Sequence, residues 1–322
     1  MTAVETHSQQ WHEIRASGVG GSEVAGLLGL SRYASPWSLW AEKTGLIPAE
    51  HEDNERLEFG REAEPYLAAM FHRRTGLHVA GQQMMVRHPE HGFARATLDG
   101  LVFAPIPEEH VPFGPRSDAL GIVQFKTWAT RGWPDGIPPA IRAQTIWEMA
   151  CAGLRHAWVG VLFSTFRFEV FELPWDDDVE ADWQFMLAAA TEFWRHVEDG
   201  TPPPVDGSDA TADAIAHLWP TETPDKAIDA DPTLAEILAR RAAIKARLSA
   251  DEKVVKALDN ELAALIGDAE TIRIDGTPAY TYRVQSRSTV DRAALEAEHP
   301  AIAAAFTRIS TYRVLRPVKG KK

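Results

Sequence analysis

The chain has 322 residues, 45% of them hydrophobic and 25% charged, which is the balance of an ordinary globular protein with room for about two domains. Its single cysteine, Cys151, excludes disulfides, a structural zinc knuckle and an iron–sulfur cluster supplied by this chain alone, and in "WEMACAG" it reads as a small buried apolar residue. The net charge of -13 is unevenly spread: residues 176–231 hold 15 acidic and 2 basic side chains, and the remainder carries 31 of each, so a basic, nucleic-acid-binding cleft is not excluded.

The N-terminal "MTAVETHSQQ" lacks the basic start and apolar stretch of a signal peptide, and no apolar run approaches the roughly 20 residues a membrane helix needs. A cytoplasmic protein without a membrane partner is expected. In "GVGGSEVAGLLGLSRYASPWSLWAEKTG", Ser22 is positioned to cap a short helix from Glu23, and Ser35 with Pro36 caps another ending near Gly45. "RLEFGREAEPYLAAMFHRRTG" predicts a longer helix with Leu67, Met70 and Phe71 on its buried side; Glu64 falls at the edge of that face, an unusual place for a free surface acid.

Strands are predicted near 83–87, over 93–103 and over 121–127, the last two separated by the Pro-rich loop "APIPEEHVPFGPRSDAL". A helix follows in "PPAIRAQTIWEMACAG", then a hairpin of two buried strands in "AWVGVLFSTFRFEVFEL", then a helix over about 178–198. This order fits an α/β (α+β) fold with a central mixed sheet flanked by helices. Residues 1–200 form this core, 201–231 read as a Pro/Asp-rich acidic linker with one short helix, and 232–322 form a smaller helical and β-hairpin unit.

In that C-terminal unit Asp231 and Pro232 start a helical segment whose apolar residues Ile237, Ile244, Leu248, Val255, Leu258, Leu262 and Leu265 fill a heptad pattern broken by Arg241 and Asp251. Ser249 and Glu252 in "SADE" form a possible capping box, which predicts a helical hairpin over one rod. Packing within its own domain and an intermolecular coiled coil explain the heptads equally well. "TIRIDGTPAYTYRV" predicts a hairpin about Asp275–Gly276, followed by a short helix and a last strand, "STYRVLRP".

Two strands carry polar groups that burial should exclude: Asp99 in "ATLDGLVF", and Gln124 with Lys126 in "GIVQFKTW". Residues 124 and 126 face the same side by the period of two. A carboxylate, an amide oxygen and an ammonium together suit Mg²⁺ or Mn²⁺ binding and charge stabilisation at a phosphate. A turn aspartate and a snorkelling lysine account for the same letters on their own.

Five ordered segments add context: "WHEIRASGVGGSEVAGLLGLSRYASPWSLWAEKTG", "FGREAEPYLAAMFHRRTG", "ATLDG", "QFKT" and "IPPAIRAQTIWEMACAG". Over roughly residues 11–200 they resemble the YqaJ-type viral recombinase family, which includes the phage lambda exonuclease and belongs to the PD-(D/E)XK nuclease superfamily. The resemblance implies a restriction-endonuclease-like nuclease core and a Mg²⁺- or Mn²⁺-dependent DNA exonuclease using two ions. It would act 5′ to 3′ on linear double-stranded ends to expose single strands for phage-type recombination. By the same resemblance Asp99, Gln124 and the carbonyl of Phe125 bind metal, Glu64 holds a second ion, and Lys126 is the catalytic lysine. Arg15 and Ser22 contact the terminal 5′ phosphate, and Gln144 is the helix glutamine. For Ser22 the start of a helix also favours an anion. A single-strand annealing protein, a ring-shaped homo-oligomer and a phage or prophage origin in a bacterial host complete what is implied.

The family's glutamate is Gln124 here, and a neutral amide binds Mg²⁺ less well than a carboxylate. Glu148, four residues after Gln144 on the same helix face, is a candidate compensating acid. Loss of catalysis with retained DNA-end binding, leaving a scaffold that recruits a recombination partner, is the alternative. In "TWATRGWPDGIPP", Arg131 with Trp128 and Trp133 could contact DNA, or the tryptophans could pack in the core. His12, His88, His91 and His110 show no metal-ligand spacing.

Overall fold

The computed structural model describes residues 9–48, 55–105 and 118–318. The chain divides into two compact units, Met1–Pro220 and Thr221–Lys322. No helix of the described residues is long and apolar enough to cross a membrane.

The first unit opens with α1 (Gln9–Ala16), α2 (Gly21–Leu27), α3 (Pro36–Lys43) and the long α4 (Glu55–Thr75). Ser35 caps α3 as its sequence predicts, its Oγ accepting from the Ser38 N–H at 3.0 Å. Ser22 does not cap α2. The helix begins one residue before it with Gly20 as N-cap, and the side chain of Glu23 turns back to accept from the Gly20 N–H at 2.7 Å.

Five strands form one sheet in the order β1 (His78–Ala80), β4 (Gly100–Phe103), β5 (Gly121–Trp128), β6 (His156–Phe163), β7 (Phe168–Pro174). Only β5 and β6 run parallel, joined by the crossover helix α5 (Pro139–Ala152); the other pairs are antiparallel. This mixed sheet flanked by helices is the α/β architecture expected. The period of two divides β5 cleanly. Val123 and Phe125 pack with Leu67 and Phe71 of α4 on one face; Ile122 packs on the other with Ile146, Trp147 and Met149 of α5 and Trp183 and Met186 of α6 (Asp177–Glu198).

The strand predicted over 93–103 is two strands. Residues Arg95–Leu98 (β3) pair with Met84–Arg87 (β2) in a separate ribbon, and β4 joins the main sheet. Asp99 is the residue at which the chain passes from one sheet to the other. The ribbon is also fixed to the first helices, because Val19 bridges Ala94 and the Arg95 N–H donates to the Val19 carbonyl at 2.9 Å. Most of the predicted Pro-rich loop, residues 106–117, lies outside the described residues.

Residues 201–220 fall within the first unit. Helix α7 (Asp209–Leu218) buries Ala210, Thr211 and Ala214, and its Thr211 hydroxyl lies 2.7 Å from that of Ser35.

In the second unit, residues Pro232–Ile266 form one continuous helix, α8, capped by Asp231. The predicted break at "SADE" is absent: between residues 233 and 266 there is neither glycine nor proline, so nothing removes a helical hydrogen bond there. Strands β8 (Thr271–Ile274) and β9 (Thr277–Thr281) form the expected hairpin, with Asp275 and Gly276 both at positive φ, 51° and 80°. Helices α9 (Arg292–Glu298) and α10 (Pro300–Phe306) follow. The predicted last strand over 310–317 is not formed; an alternating pattern needs a neighbouring strand to pair with, and the described residues supply none there.

Candidate active site

The polar groups of β5 meet Asp99 at the seam between the two sheets. The Asp99 Oδ2 accepts from the main-chain N–H of Phe125 at 2.7 Å and from the Gln124 side-chain amide at 2.6 Å. Two residues along the same face, Lys126 Nζ donates to Gln144 Oε1 at 3.2 Å, and Gln144 Nε2 donates to Glu148 Oε1 at 2.8 Å. Gln144 and Glu148 lie one turn apart on α5, which the parallel crossover packs over this side of β5. Gln144 therefore faces Lys126 and not solvent.

Glu64 approaches from α4. Its Oε2 accepts from Gln83 Nε2 at 2.7 Å, and Gln83 holds a left-handed backbone, φ 57°. A strained non-glycine residue aimed at an acid marks a place where side-chain position outweighs backbone comfort.

The electrostatics single out the same carboxyls. Burial first, and the Asp99 charge second, push Glu148 up to about 8, against the pull of Lys126 and Gln144. Glu64 rises to about 7, again by burial and then by Asp99. Asp99 is raised by burial despite Lys126 and its two donors. Three acids around one ammonium resist ionising together.

Two oxygens are left without partners in this cluster, Gln124 Oε1 and Glu148 Oε2, both fully buried. Such orphans cost free energy unless something else satisfies them. Among the described residues no group of three or more His, Cys, Asp or Glu side chains forms a metal site by itself. A mixed donor set of carboxylate and amide oxygens remains, and it fits a hard divalent cation of the Mg²⁺ type, which is usually bound by one or two carboxylates with water completing the shell.

The first motif borders this cluster. A Cβ on Gly21 would lie 2.8 Å from Glu148 Oε1 and 2.9 Å from its Cγ, so only glycine lets α2 approach α5 this closely. Ser22 is exposed in the first turn of α2. Arg15, at the end of α1, lies 3.5 Å from Glu23, and the buried Lys43 Nζ donates to the same carboxylate at 2.8 Å and to the Arg15 carbonyl at 2.7 Å. Burial opposes the Glu23 charge, but Lys43, Arg15 and the Gly20 N–H together hold its carboxyl below the usual range. Glu23 and Lys43 were not singled out by sequence. The available signal was an acid set among the small and apolar residues of "GSEVAGLL".

Other expectations resolve differently. Arg131 is exposed, and its carbonyl accepts from Arg167 Nη2 at 3.0 Å; it is not part of the hydrogen-bonded set around Asp99. Trp133 is buried edge-on against Trp128 and Phe163, so the core reading holds for it. His88 Nδ1 accepts from the N–H groups of Glu90 and His91 at 3.2 Å each, and its ring stacks on Trp183, a turn-closing role. His110 and the side chain of His12 lie outside the described residues. Cys151 is free and buried.

The fold is a mixed α/β sheet whose parallel crossover helix, α5, faces the acid and lysine borne at Asp99 and on β5. Residues 10–155 match the model of the YqaJ-like viral recombinase domain. Over 273 residues, 83% of this chain and 80% of the relative, it is 28% identical to the uncharacterized protein YqaJ of Bacillus subtilis (strain 168). Among solved structures it is similar to an alkaline exonuclease (LHK-Exo) from Laribacter hongkongensis, at 21% identity over 60% of this chain and 94% of that one, TM-score 0.46. A phage related exonuclease from Haemophilus somnus 129PT matches at 12% identity over 57% of this chain and 96% of that one, TM-score 0.40.

Proposed function

We propose that the protein is a divalent-metal-dependent DNA exonuclease, acting 5′ to 3′ on linear double-stranded ends to expose single strands for phage-type recombination. The observation that carries this reading is the set Asp99, Gln124, Phe125, Lys126, Gln144 and Glu148, with the buried oxygens Gln124 Oε1 and Glu148 Oε2 left unpartnered inside it.

Asp99, Glu148, the Phe125 carbonyl and Glu64 are the groups that would hold Mg²⁺ or Mn²⁺, with Gln124 Oε1 as a further oxygen. Bound ions supply Lewis-acid polarisation of the scissile phosphate and ease formation of hydroxide. Lys126 orients the attacking water and balances charge that develops on the phosphate oxygens. Gln144 fixes the Lys126 ammonium through Oε1 and Glu148 through its amide, so one side chain sets the spacing between cation and acid. Arg15 and Ser22 grip the terminal phosphate. The YqaJ-like domain adds an annealing-protein partner, a homo-oligomer holding DNA and a bacterial cytoplasmic location to this reading.

One observation favours a second reading, a catalytically weak end-binding scaffold. Gln124 turns its amide nitrogen, not its oxygen, toward Asp99. Incubating linear duplex with Mg²⁺ or Mn²⁺ separates the two. Digestion by the wild type that is lost in both Asp99→Ala and Lys126→Ala, with binding to DNA ends retained, supports the exonuclease. Intact DNA with a retained gel shift in the wild type rejects it.

A further inference from the structure

Helix α8 spans 35 residues, about 52 Å, and none of them is buried. Its heptad side chains Ile237, Ile244, Leu248, Val255, Leu258, Leu262 and Leu265 are 41% to 78% exposed. An apolar stripe of that length left in water marks an interaction surface. The charges along the helix are polarised. Before Ser249 it carries Arg240, Arg241, Lys245 and Arg247 against Glu236; after it stand Asp251, Glu252, Asp259 and Glu261 against Lys253 and Lys256.

We propose that α8 pairs with α8 of a second copy of this chain in an antiparallel, fully overlapping coiled coil. With the heptad spacing Arg241, Leu248, Val255 and Leu262 are a positions, and Ile237, Ile244, Asp251, Leu258 and Leu265 are d positions. Run antiparallel, Leu262 meets Ile237 of the second copy, Val255 meets Ile244, and Leu265 meets Leu234. Arg241 packs across Leu258, and Asp251 across Leu248, so neither interrupting charge meets its own kind. On the flanks Arg240 faces Glu261 and Lys245 faces Glu252, and the twofold axis makes each pair twice.

The parallel arrangement is disfavoured by the same residues. It stacks Arg241 on Arg241 and Asp251 on Asp251 in the seam and sets Arg240 against Lys245, with Arg247 to Glu252 as its one attractive flank. Like charges facing each other act against a partner orientation as effectively as attraction selects one. The pairing does not depend on the nuclease reading.

The test uses the full chain. Light scattering after size exclusion should give a dimer or an even-numbered assembly, and Leu248→Glu with Val255→Glu should halve the mass while the first unit keeps its melting transition. Reversing Arg240 and Lys245 to glutamate should weaken association roughly tenfold, and adding Glu252→Lys with Glu261→Arg should restore it. An equimolar mixture of Ile237→Cys and Leu262→Cys chains should cross-link on mild oxidation, while each variant alone should not. Self-cross-linking of either single variant, or a wild type that stays monomeric at tens of micromolar, overturns the proposal.

Discussion

Replacing Glu148 by glutamine removes a strongly perturbed carboxyl of the candidate site while keeping its shape and its hydrogen bond to Gln144. In the folded protein without metal this group titrates near 8, raised from 4.5 chiefly by burial and next by Asp99. A raised acid pKa means that the folded state holds the proton more tightly than the unfolded chain does. The penalty is absent below about pH 4.5, grows as pH rises, and levels off above about pH 8. At about 1.4 kcal/mol per pH unit it reaches at most about 5 kcal/mol, part of it shared with Asp99. A unit of this size shifts by about 2–4 °C per kcal/mol, so in EDTA the wild type should lose on the order of 10 °C of melting temperature relative to Glu148→Gln between pH 5 and pH 9. Circular-dichroism melts across that range measure it. Added Mg²⁺ at pH 8 should return the wild type most of that loss and give the variant little. Parallel melting curves for the two proteins in EDTA would refute the account of Glu148 as a buried acid awaiting a cation.

Gly21→Ala forces a methyl group against Glu148, at an expected cost of about 1–3 kcal/mol, and should weaken Mg²⁺ binding measured by calorimetry. Leu67→Ala empties part of the core between α4 and β5 and should cost about 2–5 kcal/mol in urea unfolding, with Mg²⁺ affinity unchanged. Glu23→Gln leaves the buried Lys43 ammonium without its carboxylate and should cost roughly 3–5 kcal/mol near neutral pH. Because the Glu23 carboxyl is held low, the wild-type advantage over that variant should fade as pH falls below about 4.5.

Much of the site was legible because it is written in local patterns. The period of two put Gln124 and Lys126 on one face of β5, and the helical period put Gln144 and Glu148 on one face of α5. What escaped depends on distant partners. The alternation through residues 93–103 continues across Asp99, so the exchange of sheets there is set by which strands β3 and β4 find and not by their own letters. The Lys43–Glu23 pair joins residues on separate helices, and its lysine looks like any basic residue closing a helix. Ser249 satisfies the pattern of a cap, yet strong helix formers on both sides carry α8 through it.

Asp99 sits four residues beyond Arg95, and Arg95 is bonded to Val19 beside the motif that contains Ser22. The strut from Val19 through β3 to Asp99 is a single short strand with no loop in it to absorb movement. A displacement of the first motif would therefore carry through β3 to the position of the Asp99 carboxylate.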